Sequence, residues 1–161
     1  MNINFFILLF LLATSACKIT AQCNCKSKSF NGYQIKICNP LLVAFDSNYQ
    51  IALSITQVAD TKFLILTARF AKNAKTIGSD LMVFTTAEKV LILNLLDSEK
   101  DYVGGSEICN AKFELTDENI NELSKYEITS LRFNFSDEII KRTFGLQKNK
   151  TVIVQQINCL K

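Results

Sequence analysis

The sequence predicts an α+β protein made mostly of antiparallel strands, a β-sandwich or curved sheet with one to three short helices in its C-terminal third. Three observations carry this. Apolar residues alternate with polar ones through much of the chain, as where Ile51, Leu53 and Ile55 oppose Ala52, Ser54 and Thr56, the period-two signature of a half-buried strand. Turn chemistry at Asn31-Gly32, Ala59-Asp60-Thr61 and Thr86-Ala87-Glu88-Lys89 separates such runs at hairpin spacing. The two recognisable helix starts, a Thr or Ser followed by two acids, both lie beyond Leu115.

Taken in order, the first hairpin is the most sharply specified. Asn-Gly favours a two-residue type I′ turn because both central positions need positive φ. Phe30 then faces Tyr33, and counting outward pairs Ser29 with Gln34, Lys28 with Ile35, Ser27 with Lys36, Lys26 with Ile37 and Cys25 with Cys38. Further strands are expected over 49–58 and 62–70, the latter with Leu64, Leu66, Ala68 and Phe70 on one face and Phe63 and Ile65 on the other. A basic, polar connection follows over 73–79. Residues 81–84 and 90–96 form another hairpin, a longer loop runs over 97–106 through Gly104-Gly105, and strands are expected over 108–115 and 128–135. That makes about eight strands.

Thr116-Asp117-Glu118 and Ser136-Asp137-Glu138 each supply a hydroxyl cap and two acids that complement a helix N-terminus. Leu115 with Ile120, and Phe135 with Ile140, are placed to act as hydrophobic staples. The first helix is expected to reach about Tyr126. The second is expected to stop at Gly145 as a left-handed cap. Over 151–160, Ile153, Val154, Ile157 and Leu160 suit a helical stripe while Val152-Ile153-Val154 also suits a strand; the segment is read as a helix.

Residues 1–21 of the 161 read as a signal peptide and 22–161 as a single β-rich domain. Residues 5–16 (FFILLFLLATSA) are an apolar run of signal-peptide length, shorter than the roughly 20 residues a spanning helix needs. Cleavage after Ala21 gives a secreted or periplasmic product. Alternatively, Thr14-Ser15-Ala16-Cys17 looks like a lipobox, so that 1–16 is a lipoprotein signal and Cys17 carries a lipid anchor in the envelope. No later segment is apolar enough for a transmembrane span in the mature chain. Of the six cysteines, five remain after Cys17, and in an exported protein they read first as disulfide partners. Cys25–Cys38 falls on a non-hydrogen-bonded site of the hairpin, where Cα atoms lie about 4.5 Å apart. Elimination then suggests Cys109–Cys159, with Cys23 unpaired.

The chain contains no histidine, so it cannot build a Ser-His-Asp triad, a His-ligated zinc or a His-ligated haem from its own residues. Loss of the leader removes only Lys18, leaving 17 basic against 15 acidic residues, too small an excess to imply a nucleic-acid partner. Cys23-Asn-Cys25 is one residue short of a redox Cys-x-x-Cys, and phosphate-loop and dinucleotide motifs are absent, so no catalytic residue and no cofactor is expected. Asp97, Glu99 and Asp101 alternate before Gly104-Gly105 and invite a calcium reading, although Tyr102 and Ile108 stand where an EF-hand needs Gly and Glu. Glu114, Asp117, Glu118, Asp137 and Glu138 are the carboxylates a histidine-free glycoside hydrolase would draw on. Lys72, Lys75, Lys141, Arg142, Lys148 and Lys150 form two basic stretches that suit a solvated surface or an anionic envelope surface. Asn134-Phe135-Ser136 and Asn149-Lys150-Thr151 fit the N-glycosylation acceptor.

The order strand, Leu115-Thr116-Asp117-Glu118 helix start, strand, and Cys159-Leu160 near the end resembles small uncharacterised exported domains of Gram-negative bacteria. The resemblance implies envelope residence and no known activity. The expected function is therefore non-catalytic binding of a protein, glycan or envelope component, with contact residues in the connections around 73–79 and 97–106. The alternative is a small apolar-ligand carrier built as a closed β-barrel.

Overall fold

Alternation along the central strands sends one face of each into the core. In the computed structural model, which describes residues 23–71 and 73–160, these strands are β4 (Tyr49–Val58), β5 (Thr61–Phe70) and β9 (Ser106–Leu115). Leu53, Leu66 and Ala111 lie in one row across them, and Ile55, Leu64 and Phe113 in the next; all six are fully buried. The sheet is completed by β1 (Cys25–Phe30), β2 (Tyr33–Cys38), β3 (Leu41–Phe45) and β8 (Leu95–Val103), in the order β1-β2-β4-β5-β9-β8 with β3 beside β4. A second, four-stranded sheet runs β11 (Arg142–Gly145), β10 (Ile128–Phe133), β6 (Leu81–Thr85), β7 (Val90–Leu93). Its inward residues Leu81, Val83, Leu93, Leu131, Phe133 and Phe144 join the same buried cluster, giving two layers over one core.

Two short helices, α1 (Asp117–Leu123) and α2 (Val152–Cys159), complete the described fold. Thr116 caps α1 with a reciprocal pair of hydrogen bonds: its Oγ1 accepts from Asn119 N–H at 3.2 Å, and Asn119 Oδ1 accepts from Thr116 N–H at 3.1 Å. The α2 segment is a helix because its stripe of Val152, Ile153 and Ile157 is buried; Gln156 also turns inward against β4. β2 pairs with β4 over Thr56–Val58, and β3 pairs with β4 from Leu53 down to Gln50, so the chain corners at Asn39-Pro40 between them. Gln156 fills the resulting gap. Its Oε1 accepts from Ile55 N–H at 2.7 Å and its Nε2 donates to Asn39 C=O at 2.9 Å.

Several expectations are corrected. The helix expected from Ser136 to Gly145 is a tight loop followed by β11. Asn134 Nδ2 donates to Phe135 C=O and Glu138 C=O, the Ser136 hydroxyl meets Thr76 Oγ1 at 2.7 Å instead of capping, and Phe144 stacks on Phe133 at 4.7 Å. Burial of Phe144 in the second sheet outweighs a helix of this length, which is marginal on its own. Gly145 accordingly sits in a strand opposite Ser130. Residues 97–103 are not loop but part of edge strand β8, and the turn is confined to Gly104 and Gly105, both at positive φ (57° and 78°). β3 and β11 are further strands beyond the eight expected, the single strand expected over 90–96 divides between β7 in the small sheet and the start of β8 in the large one, and α1 stops at Leu123. Neither sheet closes on itself, since one ends at β1 and β8 and the other at β11 and β7; the closed-barrel expectation therefore fails, and buried side chains fill the interior.

The first hairpin has the register counted from its turn, with Cys25 opposite and bonded to Cys38 and Asn31 and Gly32 at φ 49° and 80°. The second bridge joins Cys23 to Cys159, with Cα atoms 5.7 Å apart. The expected Cys109–Cys159 pair and an unpaired Cys23 are thus both incorrect. Cys109 is buried and unbonded: it points inward from the middle of β9, opposite Ala68, while Cys159 ends a helix packed beside β4. Residues 1–22, including the leader and Cys17, lie outside the described residues, among which no helix is long and apolar enough to cross a membrane.

Candidate functional site: the loop end of the sandwich

One end of the sandwich gathers four connections. Register places Tyr49 opposite Phe70 and Arg69 opposite Ile108, so the β3–β4 turn, the β5–β6 connection and the β8–β9 turn share this end. The Ile77–Phe135 bridge and the hydrogen bond from Ser136 N–H to Thr76 C=O (2.9 Å) bring in the β10–β11 loop. This approach requires glycine at Gly78, where a Cβ would stand 2.7 Å from Ser136 Cα.

Aromatic rings floor the site. Phe144 lies between Phe133 (4.7 Å, stacked) and Tyr49 (4.9 Å, edge-on), and Phe135 meets Phe70 at 5.2 Å. These separations match the offset and edge-to-face arrangements favoured by ring quadrupoles. Above Phe135 sits a charged clamp. Glu138 accepts from Lys75 Nζ (2.9 Å) and, in fork geometry, from Arg142 Nε (2.7 Å) and Nη2 (2.6 Å). Lys75 also pairs with Asp137 at 2.9 Å, and the two cations stand 5.9 and 5.7 Å from the Phe135 ring centre. Hydrogen bonding to Lys75 holds the Asp137 and Glu138 carboxyls below the usual carboxylate range; for Glu138, Arg142 adds to it. Burial and the neighbouring Asp46 carboxylate push the Tyr49 hydroxyl up. Asn48, Tyr49, Phe70 and Phe135, with Lys75 and Arg142 at the edge, enclose a cleft of about 290 Å³.

The clamp braces a projecting tip. Directly after Glu138, Ile139 is 99% and Ile140 77% exposed. Tyr102 and Val103, at the neighbouring hairpin turn, are also largely exposed. Among the described residues these two isoleucines are the most exposed large apolar side chains, and adjacent on a loop pinned at both ends they form a contiguous apolar patch of the kind that marks contact surfaces.

Of the residues singled out from the sequence, Asp137, Glu138, Lys75 and Arg142 converge here, together with Phe70, Phe135 and the Asn134 amide. The calcium candidates and the remaining hydrolase carboxylates do not. Asp97, Glu99 and Asp101 occupy alternate positions on β8, spaced about 7 Å apart by strand geometry, opposite Lys112, Asn110 and Ile108. They cannot surround one ion at calcium–oxygen distances, and no group of three or more metal-ligating side chains converges among the described residues. Glu114 is exposed on β9, and Asp117 and Glu118 lie in the first turn of α1. The hydrogen bonds from Lys75 favour the ionised forms of Asp137 and Glu138, opposite in direction to the raised value that the general acid of a glycoside hydrolase needs. Both glycosylation asparagines have engaged amides: Asn134 as above, and Asn149 Nδ2 with Leu42 C=O at 2.8 Å. Lys148 stands 5.0 Å above the Phe45 ring, and Lys72 lies outside the described residues. The helix expected from the Ser-Asp-Glu start takes in Ile139 and Ile140, and with Phe144 four residues after Ile140 nothing local in the sequence marks the two as exposed. No family model matches the chain, and no curated protein or solved structure matches it.

Proposed function

We propose that this chain is a non-catalytic binding domain of an exported protein, secreted or resident in the envelope, which docks on a protein, glycan or envelope component through the loop end. The resemblance to small exported domains and the two disulfides, which suit an oxidising compartment, support export. The observation that carries docking is the exposed Ile139-Ile140 tip on a braced loop. Burying an isoleucine side chain contributes about 1.5–3 kcal/mol, so two of them can form the centre of an interface. Because the Lys75–Glu138–Arg142 clamp already orders the loop, docking loses little further conformational entropy.

The test is capture from envelope extract by the wild-type domain and by an Ile139→Asp/Ile140→Asp variant, with bound species identified by mass spectrometry. The exposed positions leave the melting temperature of the variant unchanged. A defined partner retained by wild type and lost by the variant is expected; equal retention, or no partner at all, overturns the reading.

A further inference from the structure

The two edges of the large sheet carry opposite charge on the same face. Lys26 lies opposite Ile37, Ile37 opposite Thr56, Thr56 opposite Phe63 and Phe63 opposite Glu114. Two residues along β9, Lys112 lies opposite Asp97. Cross-strand partners share a face, so Lys26 and Lys28 on edge strand β1 project from the same face as Asp97, Glu99 and Asp101 on edge strand β8. β1 contains no acid, and all five of these side chains are exposed.

We propose that β1 of one copy pairs with β8 of a second copy of this chain, antiparallel, so that the seven-stranded sheet continues from molecule to molecule. Strand direction permits it. Direction alternates along β1-β2-β4-β5-β9-β8, all pairs being antiparallel, so β1 and β8 run oppositely when two copies stand side by side in the same orientation.

The hydrogen-bonding phase permits it too. Phe30–Tyr33 and Val103–Ser106 flank two-residue turns, so these pairs and every second pair from them bond inward. The outward N–H and C=O groups therefore belong to Cys25, Ser27 and Ser29 on β1 and to Ser98, Lys100 and Tyr102 on β8. Tyr102 N–H already turns outward to its neighbour's carboxylate, Asp101 Oδ1, at 2.7 Å. Placing Ser27 opposite Lys100 brings Lys26 opposite Asp101 and Lys28 opposite Glu99, with no like charges facing one another.

The same charges discriminate against the other arrangements. A β8–β8 contact opposes acids to acids and a β1–β1 contact lysines to lysines, both unfavourable at cross-strand distance. The association is thus head-to-tail, and it grows into an open or ring assembly instead of stopping at a symmetric dimer. It uses edges distinct from the loop tip, so it stands independently of the docking reading above.

Sedimentation velocity of the oxidised protein over a concentration series tests it. Wild type is expected to show a mass average that rises with concentration and falls on raising salt from about 0.05 to 0.5 M, where the screening length drops to a few ångströms. Lys26→Glu/Lys28→Glu and Asp97→Lys/Glu99→Lys/Asp101→Lys are each expected to self-associate at least roughly tenfold more weakly. Mixing the two restores association, because the first then has two acidic edges and the second two basic ones. Circular dichroism of each variant checks folding. A monomeric wild type, unimpaired variants, a mixture that stays monomeric while both variants are folded, or loss of association in Ile139→Asp/Ile140→Asp would each overturn the proposal.

Discussion

Gln156 offers the sharpest test of how the two ends of the chain lock together. It is 7% exposed, and its side-chain amide completes the β4 edge where β2 and β3 part, accepting from Ile55 N–H and donating to Asn39 C=O. Gln156→Met keeps the volume of the side chain and removes both bonds. Asn39 is exposed, so its carbonyl recovers a partner from water; Ile55 is fully buried, and its N–H does not. The cost is therefore that of one unsatisfied buried donor, about 1–3 kcal/mol. For a domain of about 140 residues, with an unfolding entropy of about 2.1 cal/mol/K per residue, this lowers the melting temperature by about 3–10 °C. Urea unfolding with both bridges intact gives the free energy, calorimetry gives the temperature, and hydrogen exchange at the Ile55 amide reports the bond itself. A loss below about 0.5 kcal/mol, or an Ile55 amide as protected as in wild type, refutes the argument that this amide closes the sheet edge.

The two bridges are expected to differ in worth. In the chain-entropy model, removing Cys23–Cys159 (separation 136) costs about 5 kcal/mol, and removing Cys25–Cys38 (separation 13) about 3 kcal/mol; equal losses, or the reverse order, in the paired Cys→Ser variants count against it. The clamp should loosen in acid. Because the Glu138 carboxyl is held below the usual carboxylate range, its contribution is full above the unfolded-state value and is lost as pH falls through the lower folded-state value. Acid titration of wild type and Glu138→Gln should therefore show a stability difference that shrinks below about pH 4; a constant difference rules the clamp out as its source.

How much of this was legible differs element by element. The first hairpin, its register and Cys25–Cys38 follow from Asn31-Gly32, because a two-residue turn leaves one pairing for every residue outward. β4, β5 and β9 are legible because one face is buried, and α1 because Thr116 carries its own cap. β8 was unreadable for the opposite reason: an edge strand with little burial has no apolar alternation, so its acids looked like a solvated loop. At the candidate site, the charged residues were individually visible, but nothing local joins Lys75 to Glu138 across 63 residues.

What the sequence determined by itself is what acts over a few residues: strand period, hairpin register, the cap of α1 and the absence of histidine chemistry. Tertiary structure decided the rest. Ser136 carries the same helix-start chemistry as Thr116, yet it opens a tight loop that leads into β11, because Phe144 gains more by stacking on Phe133 inside the second sheet than a short helix gains from its cap. Cys159 bonds Cys23 and not Cys109 because the inward direction of β9 buries one sulfur while α2 carries the other to the start of the described chain. Local preferences are worth a few tenths to about 1 kcal/mol each, whereas burying one aromatic side chain is worth about 1.5–3 kcal/mol, so long-range packing prevails wherever the two conflict.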